Sequence, residues 1–453
     1  MQAIANYTIT EKIHESLHTL VYRAFRPTDA TSVIIKIPNG DYPTVSELVR
    51  LRNQYAIAKN IESPFIVKPL RLERYNNGFA LILEDFGAIS LKDYIRLHPL
   101  SITDFLKIGI QIAEGLEQLY RHRIIHKDIK PHNILIQPET KRVKLTDFSI
   151  SSLLPKETLS IVNPTELEGT LAYISPEQTG RMNRGIDYRT DFYSLGVTFY
   201  ELLTENLPFS CTDPMELVHY HIAKQPMPPN LLNPLIPQAI ADIVMKLMGK
   251  TAESRYQTAW GLKLDLEKCL QQLETTGQIE PFPIAKGDMA ARFQIPETLY
   301  GRETEIARLM NAFERVAAGT TELMLVAGYS GIGKSALVQE VHKPIVAKRG
   351  YFISGKCDRV KRNVPFAPFI KAFRDVIRHH ILTESKQAIA NWKEKLAAAL
   401  GNQGQAIVDV IPEVEWLLGK QPPVPKLPPP KRKIDLIWCC KNLFEFLPAP
   451  NIR

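Results

Sequence analysis

Along roughly the first 85 positions, apolar residues come in short runs set off by turn residues, and 32–37 (SVIIKI) and 79–83 (FALIL) read as strands. From residue 104 the period changes. Phe105, Ile108, Ile112, Leu116 and Leu119 recur at helical spacing, so a sheet-bearing part is followed by a helical one. Two brief apolar strands, 134–136 and 143–145, interrupt the helices, each beside a polar cluster. Such strand ends are where binding and catalytic groups concentrate. The last helix of this part ends near Leu273 and gives way to ETTGQIEPFPIAKGD, whose Gly, Pro and Thr content and lack of period mark a linker. Beyond it, Ile306, Leu309, Met310, Phe313 and Val316 predict a buried helix face over 303–316, and 323–327 an apolar strand. The proline-rich run 421–433 (QPPVPKLPPPKRK) reads as an extended surface spacer, in preference to a docking motif.

At 453 residues the chain is too long for one core, so two domains are expected. Hydrophobic residues at 45% and charged residues at 23% exclude a disordered or collagen-like chain. The net charge of +8 is scattered, and its basic cluster Lys431, Arg432, Lys433 is short, so no nucleic-acid partner is expected. Cysteines 211, 269, 357, 439 and 440 form no CxxC pair and have no histidines at metal spacing, which argues against a disulfide framework or a zinc site. There is no continuous apolar run of membrane-spanning length and no signal-peptide core, so a cytoplasmic protein is expected.

The densest chemical signal is HKDIKPHN, 126–133, followed fourteen residues later by Asp147-Phe148-Ser149 at a strand end. A carboxylate to take a hydroxyl proton, cations for a phosphate, and oxygen ligands for magnesium occur here in the order phosphoryl transfer needs. These residues resemble the protein kinase family, whose fold would be an α+β bilobal kinase domain. The resemblance implies Asp128 as catalytic base, Lys130 on the γ-phosphate, and Asn133 and Asp147 as magnesium ligands. It assigns the strand lysine Lys36 to the α- and β-phosphates, and places His14, Ser16, Thr19, Val21, Glu84 and Phe86 around ATP. GTLAYISPE (169–177) looks like the end of an activation segment, and DFYSLG, beginning at Asp191, like the start of the central helix of the larger lobe. Arg255 matches the arginine that pairs with Glu177. Lys130 together with Thr170 points to the Ser/Thr branch, so the partners implied are protein substrates bearing serine or threonine.

Six positions depart from the family pattern. HESLHTLV stands where GxGxxGxV is expected, so His14, Ser16 and Thr19 replace three glycines that would let backbone amides approach phosphate. The helix glutamate expected to pair with Lys36 aligns with Gln54, with Glu47 as the fallback about two turns earlier. A neutral hydrogen bond contributes about 1 kcal/mol against roughly 1.5–3 for a charged one, so glutamine there would lower the rate by about an order of magnitude. Ser149 follows Asp147-Phe148 in place of glycine, and Lys127 replaces an arginine that grips a phosphorylated activation loop. Weak dependence on phosphorylation at Thr158, Ser160 and Thr165 is therefore expected.

A second nucleotide site is signalled by GYSGIGKS, 328–335, which satisfies GxxxxGK[ST] between an expected strand and an amphipathic segment. Backbone amides of Gly328, Gly331 and Gly333 would cradle phosphates, Lys334 would reach the β- and γ-phosphates, and Ser335 would ligate magnesium. With the upstream LYGRETEI (299–306), this loop resembles the AAA-like signalling ATPase module behind kinase domains in large bacterial hybrid Ser/Thr-histidine kinases. The phrase SPEQTGRMNRGIDYRTDFYSLG (175–196) resembles the kinase domain of the same proteins. There, sensor and histidine-kinase modules usually follow. In this chain they would act in trans. No apolar run ending in paired acids follows the loop. Asp409 is the nearest candidate, better read as a helix surface position, so a partial α/β P-loop NTPase domain in a truncated chain is expected. The expected layout is a kinase domain over 1–273 (lobes 7–85 and 86–273), a linker over 274–296 and the P-loop module over 297–453. The implied cofactors are ATP and Mg2+, and the implied activity is an active Ser/Thr kinase with a nucleotide-binding regulator. The alternative is a nucleotide-binding scaffold built on a pseudokinase.

Overall fold

The computed structural model describes residues 3–4, 7–28, 30–40, 42–153, 170–180, 185–288, 301–329, 331–340, 355, 367–379, 386–400 and 404–422. Gly169, Thr158, Ser160, Thr165, Leu299, Tyr300, Ser330, residues 289–296, the proline-rich run from 423, and cysteines 357, 439 and 440 lie outside the described residues. The described residues fall into two compact units, one over 3–288 and one over 301–422.

The first unit opens on a six-stranded sheet of β1 (Ala3–Ile4), β2 (Tyr7–Glu15), β3 (Thr19–Arg26), β4 (Thr31–Pro38), β5 (Pro69–Tyr75) and β6 (Gly78–Glu84). Its order is β1-β2-β3-β4-β6-β5, with every neighbouring pair antiparallel. The expected runs at 32–37 and 79–83 fall inside β4 and β6. In β4, alternate residues Val33, Ile35 and Ile37 are buried with Ala24, Ala80 and Ile82, the two-residue period of a strand with one face inward. Helix α1 (Val45–Ala58) is inserted between β4 and β5. It begins at a capping box: Thr44 accepts the Glu47 N–H, and the Glu47 carboxylate accepts the Thr44 N–H.

The helical lobe runs through β7 (Ile89–Ser90), α2 (Leu91–Leu97), α3 (Ile102–Arg121), β8 (Ile124–Ile125), β9 (Ile134–Ile136), β10 (Val143–Leu145), β11 (Ser152–Leu153), α4 (Arg189–Thr204), α5 (Pro214–Ala223), α6 (Pro229–Leu232), α7 (Gln238–Leu247) and α8 (Ala259–Thr276). Ser101 caps α3, and all five residues of its expected face are buried. Each such side chain contributes roughly 1.5–3 kcal/mol relative to exposure. α4 is buried from Arg189 to Leu203, and its polar side chains find partners: Ser194 donates to the Tyr173 carbonyl at 2.8 Å, and Glu201 accepts from Tyr173 and Lys92. β9 and β10 pair antiparallel, Ile134 opposite Leu145, which sets the loops at 126–133 and 146–149 side by side. α8 extends three residues past Leu273 and closes at Gly277, which takes the left-handed backbone (φ 73°) that ends a helix without a Cβ penalty.

In the second unit α9 (Glu303–Ala317) forms where the periodicity placed it, but its apolar stripe is only half-buried and Val316 is 36% exposed. The strand expected at 323–327 is not formed. Leu323 and Leu325 are 89% and 85% exposed, and among the described residues no strand lies beside them to supply a hydrogen-bonded ladder. α10 (Lys334–Gln339) follows the glycine-rich loop. Helices Ala367–His379, Lys386–Leu400, Gly404–Val408 and Val414–Leu418 share a core around Phe373, Trp392, Leu396 and Ile407, with Arg374 paired to the buried Glu413 at 3.1 Å. Asp409 sits on the exposed turn after one of them, bonded by Gln405 at 2.9 Å. Among the described residues no helix is long and apolar enough to cross a membrane, and no three metal-ligating side chains cluster.

Candidate active site

Between sheet and helical lobe lies a cleft of about 1030 Å³ including its mouth, lined among others by Ser16, Lys36, Gln54, Asp128, Lys130, Asp147 and Thr170. The structure therefore gathers residues from the turn between β2 and β3, from β4, α1, the 126–133 loop and the 147–149 turn, and from Thr170. Asp128 is the hub. Its Oδ2 accepts Lys130 Nζ at 2.6 Å and Asn133 Nδ2 at 2.8 Å, while its Oδ1 accepts the Thr170 N–H at 3.1 Å and hydroxyl at 3.2 Å. Lys130 also donates to Thr170 Oγ1 at 2.6 Å. The loop carrying Asp128 is held from below by the buried Asp191, whose carboxylate accepts the N–H groups of His126 and Lys127 at 2.8 and 2.7 Å. Lys127 and Asp147 both adopt positive φ (69° and 67°), a conformation non-glycine residues hold only where surrounding structure enforces it.

Lys36 bridges the two sides of the cleft. Its Nζ donates to Asp147 Oδ1 at 2.9 Å and to Gln54 Oε1 at 3.1 Å. Glu47, the alternative partner, is instead held at the helix start by Thr44 and by the His18 ring at 2.8 Å, so it does not reach Lys36. Burial alone would raise the Asp147 carboxyl, but the Lys36 ammonium, then the Ser149 hydroxyl and His126, outweigh it and hold it well below the ordinary carboxylate range. Replacing the neutral Gln54 acceptor by a carboxylate should tighten the grip on Lys36. Gln54→Glu is expected to raise the rate of phosphate transfer by up to about tenfold, measured under single-turnover conditions.

The hairpin joining β2 to β3 shows what its missing glycines changed. Ser16 Oγ accepts the N–H groups of Thr19 and His18 at 3.1 and 3.4 Å, the amides a glycine-rich turn would leave for a phosphate. The tip is further pinned by Asn39 Nδ2 on the Ser16 carbonyl at 2.7 Å. Ser16→Gly should free those amides and lower the KM for ATP about fivefold, the equivalent of one neutral hydrogen bond of about 1 kcal/mol. His14 and Val21 face each other across the same hairpin, and with Glu84 and Phe86 they lie outside the lining of the cleft. Glu84 accepts Lys144 Nζ at 2.6 Å, and that ammonium stands 5.0 Å from the Phe86 ring centroid, so the connection between the lobes is braced from β10.

Sequence reasoning missed Asn53. Its amide donates to the carbonyls of Phe148, Ser149 and Ser151 at 3.3, 3.0 and 2.9 Å, tying the Asp147 turn to α1. Nothing in a lone helical asparagine announces such a role, because its partners are backbone carbonyls almost a hundred residues away. Glu177 and Arg255 are brought together as expected, in a two-pronged pair at 2.6 and 2.8 Å, with Arg255 1% exposed.

The glycine-rich loop of the second unit has Gly331 and Gly333 at positive φ (85° and 91°), as a phosphate-cradling turn needs. Lys334 Nζ folds back onto the carbonyls of Gly328 and Tyr329 at 2.9 and 2.7 Å, while Ser335 lies in the first turn of α10 and is exposed.

A family model described as protein kinase domain matches residues 7–265, and one described as AAA ATPase domain matches 298–450. The chain is 30% identical over 418 residues to hybrid signal transduction histidine kinase G of Dictyostelium discoideum, covering 73% of this chain and 12% of that one. It is 34% identical to a probable serine/threonine-protein kinase of Clostridium perfringens, covering 58% of this chain and 38% of the relative. With serine/threonine-protein kinase PrkC of Bacillus subtilis it shares 31% identity, covering 52% and 36%. The chain thus spans well under half the length of these relatives.

Proposed function

The chain belongs to the protein kinase family, its kinase domain followed by an AAA ATPase domain, and from that premise we propose that its cleft transfers the γ-phosphate of ATP to serine and threonine hydroxyls of proteins. The observation that carries this is the convergence on Asp128 of Lys130, Asn133 and Thr170, facing the Lys36–Asp147 pair across one cleft. Asp128 takes the proton of the incoming hydroxyl as its oxygen forms a bond to the γ-phosphorus and the bond to the bridging oxygen breaks, leaving ADP. Lys130 balances the negative charge on the transferring group, and Lys36 is held by Asp147 and Gln54 for the α- and β-phosphates.

The residues present fit magnesium. Asp147 is kept ionised, and Asn133 commits its side-chain amide nitrogen to Asp128, leaving its side-chain oxygen Oδ1 without a hydrogen-bond partner among the described residues. Asp147 and Asn133 would hold the ion, which when bound neutralises phosphate charge. In the second unit, Gly328, Gly331, Gly333, Lys334 and Ser335 form a second nucleotide site that regulates the kinase, with Ser335 as the magnesium ligand. Asp409 offers no Walker-type carboxylate, so binding without turnover is the proposed mode. Protein substrates in the cytoplasm, and sensor or histidine-kinase signalling modules, are the proposed partners.

The occupied hairpin amides at Ser16 and the neutral Gln54 favour a second reading, a nucleotide-binding scaffold without transfer. Transfer of labelled γ-phosphate from magnesium-ATP to the protein itself and to casein separates the two. We expect labelled phosphoserine and phosphothreonine, lost in Lys36→Met and only modulated in Lys334→Ala. Wild-type protein that binds ATP but labels nothing would establish the scaffold instead.

A further inference from the structure

Residues 278–288, linker-like in sequence, lie against the helical lobe. Ile279, Phe282, Ile284 and Ala285 pack on its core, and Lys268 Nζ stands 4.0 Å from the Phe282 ring centroid. Two polar anchors fasten them. The Ala285 N–H donates to Asp265 Oδ2 at 2.6 Å, the same oxygen that accepts the Tyr256 hydroxyl at 2.6 Å. Asp288 Oδ2 accepts the Gln257 N–H at 2.6 Å, and its Oδ1 accepts the N–H and hydroxyl of Thr258, both at 2.8 Å. Thr258 caps α8, so Asp288 also sets a negative charge where the helix dipole favours one. The approach is possible because residue 261 is glycine: a Cβ there would come within 2.5 Å of Asp288 Oδ1.

The residues gripped by these anchors adjoin Arg255. The Gln257 carbonyl accepts the Tyr188 hydroxyl at 2.7 Å, its Oε1 accepts Arg189 Nη1 at 2.8 Å, and its Nε2 donates to the Arg255 carbonyl at 2.9 Å. Arg255 in turn holds Glu177 and donates to the Arg189 carbonyl at 2.9 Å. From Glu177 the chain leads back to Thr170, which is bonded to Asp128.

We propose that residues 279–288 are a strap integral to the kinase domain, and that Asp288 is a positioning residue which, through Gln257 and the Arg255–Glu177 pair, holds segment 170–180 against the catalytic loop. The strap leads covalently into the P-loop module, so drawing Asp288 out of its seat loosens the surface beside Asp128 where a hydroxyl-bearing protein must lie. Its kinetic consequence rests on the kinase reading, while its structural consequence does not.

The test uses the full chain as wild type, Asp288→Ala and Asp288→Asn. Hydrogen exchange should speed up in Asp288→Ala over 252–262 and also over 170–180, with the β2–β6 sheet unchanged. The KM for casein should rise about tenfold while the KM for ATP stays put, and Asp288→Asn, which keeps one acceptor oxygen, should fall between. If Asp288→Ala unfolds, exchange over 170–180 in Asp288→Asn decides. Exchange confined to 257–261 with an unchanged casein KM would reduce Asp288 to a local helix cap and overturn the proposal. If no variant or wild type transfers phosphate, the kinase reading fails and the exchange over 170–180 still judges the strap.

Discussion

Asp128→Asn is expected to slow phosphate transfer by about 10²–10⁴-fold, with ATP affinity little changed. Both carboxylate oxygens are in use: one accepts Lys130 and Asn133, the other the N–H and hydroxyl of Thr170. All of these partners donate, so an amide NH2 in either position meets a donor and one set of bonds is lost. The proton acceptor is lost as well, because an amide oxygen is far less basic than a carboxylate. Shape is conserved, so the loop held by Asp191 stays in place and nucleotide binding, which draws on Lys36, is spared. Rapid-quench single turnovers beside an equilibrium ATP titration read the two quantities separately. A variant that keeps its transfer rate within about tenfold of wild type would remove Asp128 from the role of base.

Arg255→Ala should cost the kinase unit about 3–5 kcal/mol of stability in urea unfolding, because it takes the cation from a buried carboxylate that keeps the Thr190 hydroxyl and its own backbone N–H. Burial by itself would raise the Glu177 carboxyl, but Arg255, then Thr190, outweigh it and hold it below the ordinary value of 4.5. A carboxyl lowered in the folded state adds stability that is present above that ordinary value and lost as pH falls through the folded one. Wild type should therefore lose this increment on acidification below about pH 4.5. In Arg255→Ala the sign reverses: Glu177 is buried without its cation, its pKa rises, and acidification relieves the strain. The gap between the two proteins should narrow as pH drops. A pH-independent loss under about 1 kcal/mol would show that the pair does not anchor the segment.

Much of the site was legible beforehand because its chemistry is local. The 126–133 and 147–149 motifs carry their spacing in one stretch of chain, and the alternation in β4 and the period of α3 report which face turns inward. Less could be read where a residue's partner is remote. Glu47 stood as the fallback to Gln54 until helix α1 was seen to present Gln54 to Lys36 and to use Glu47 as its own cap. The serine of HESLHTLV could be recognised as a lost glycine, but not as the acceptor that occupies the turn's amides.

By itself, the sequence determined the kinds of element in the first unit, the order of the chemical groups and the presence of two nucleotide-binding motifs, since periodicity and motif spacing are properties of neighbouring residues. Only the tertiary structure decided which carboxylate or amide meets Lys36, that Asn53 tethers the Asp147 turn, and that the 323–327 run pairs with no strand among the described residues. It also decided that the apparent linker lies on the helical lobe through Asp288. Each of these rests on a hydrogen bond or a packed contact between segments far apart in the chain, and hydrophobic periodicity carries no information about a partner that distant.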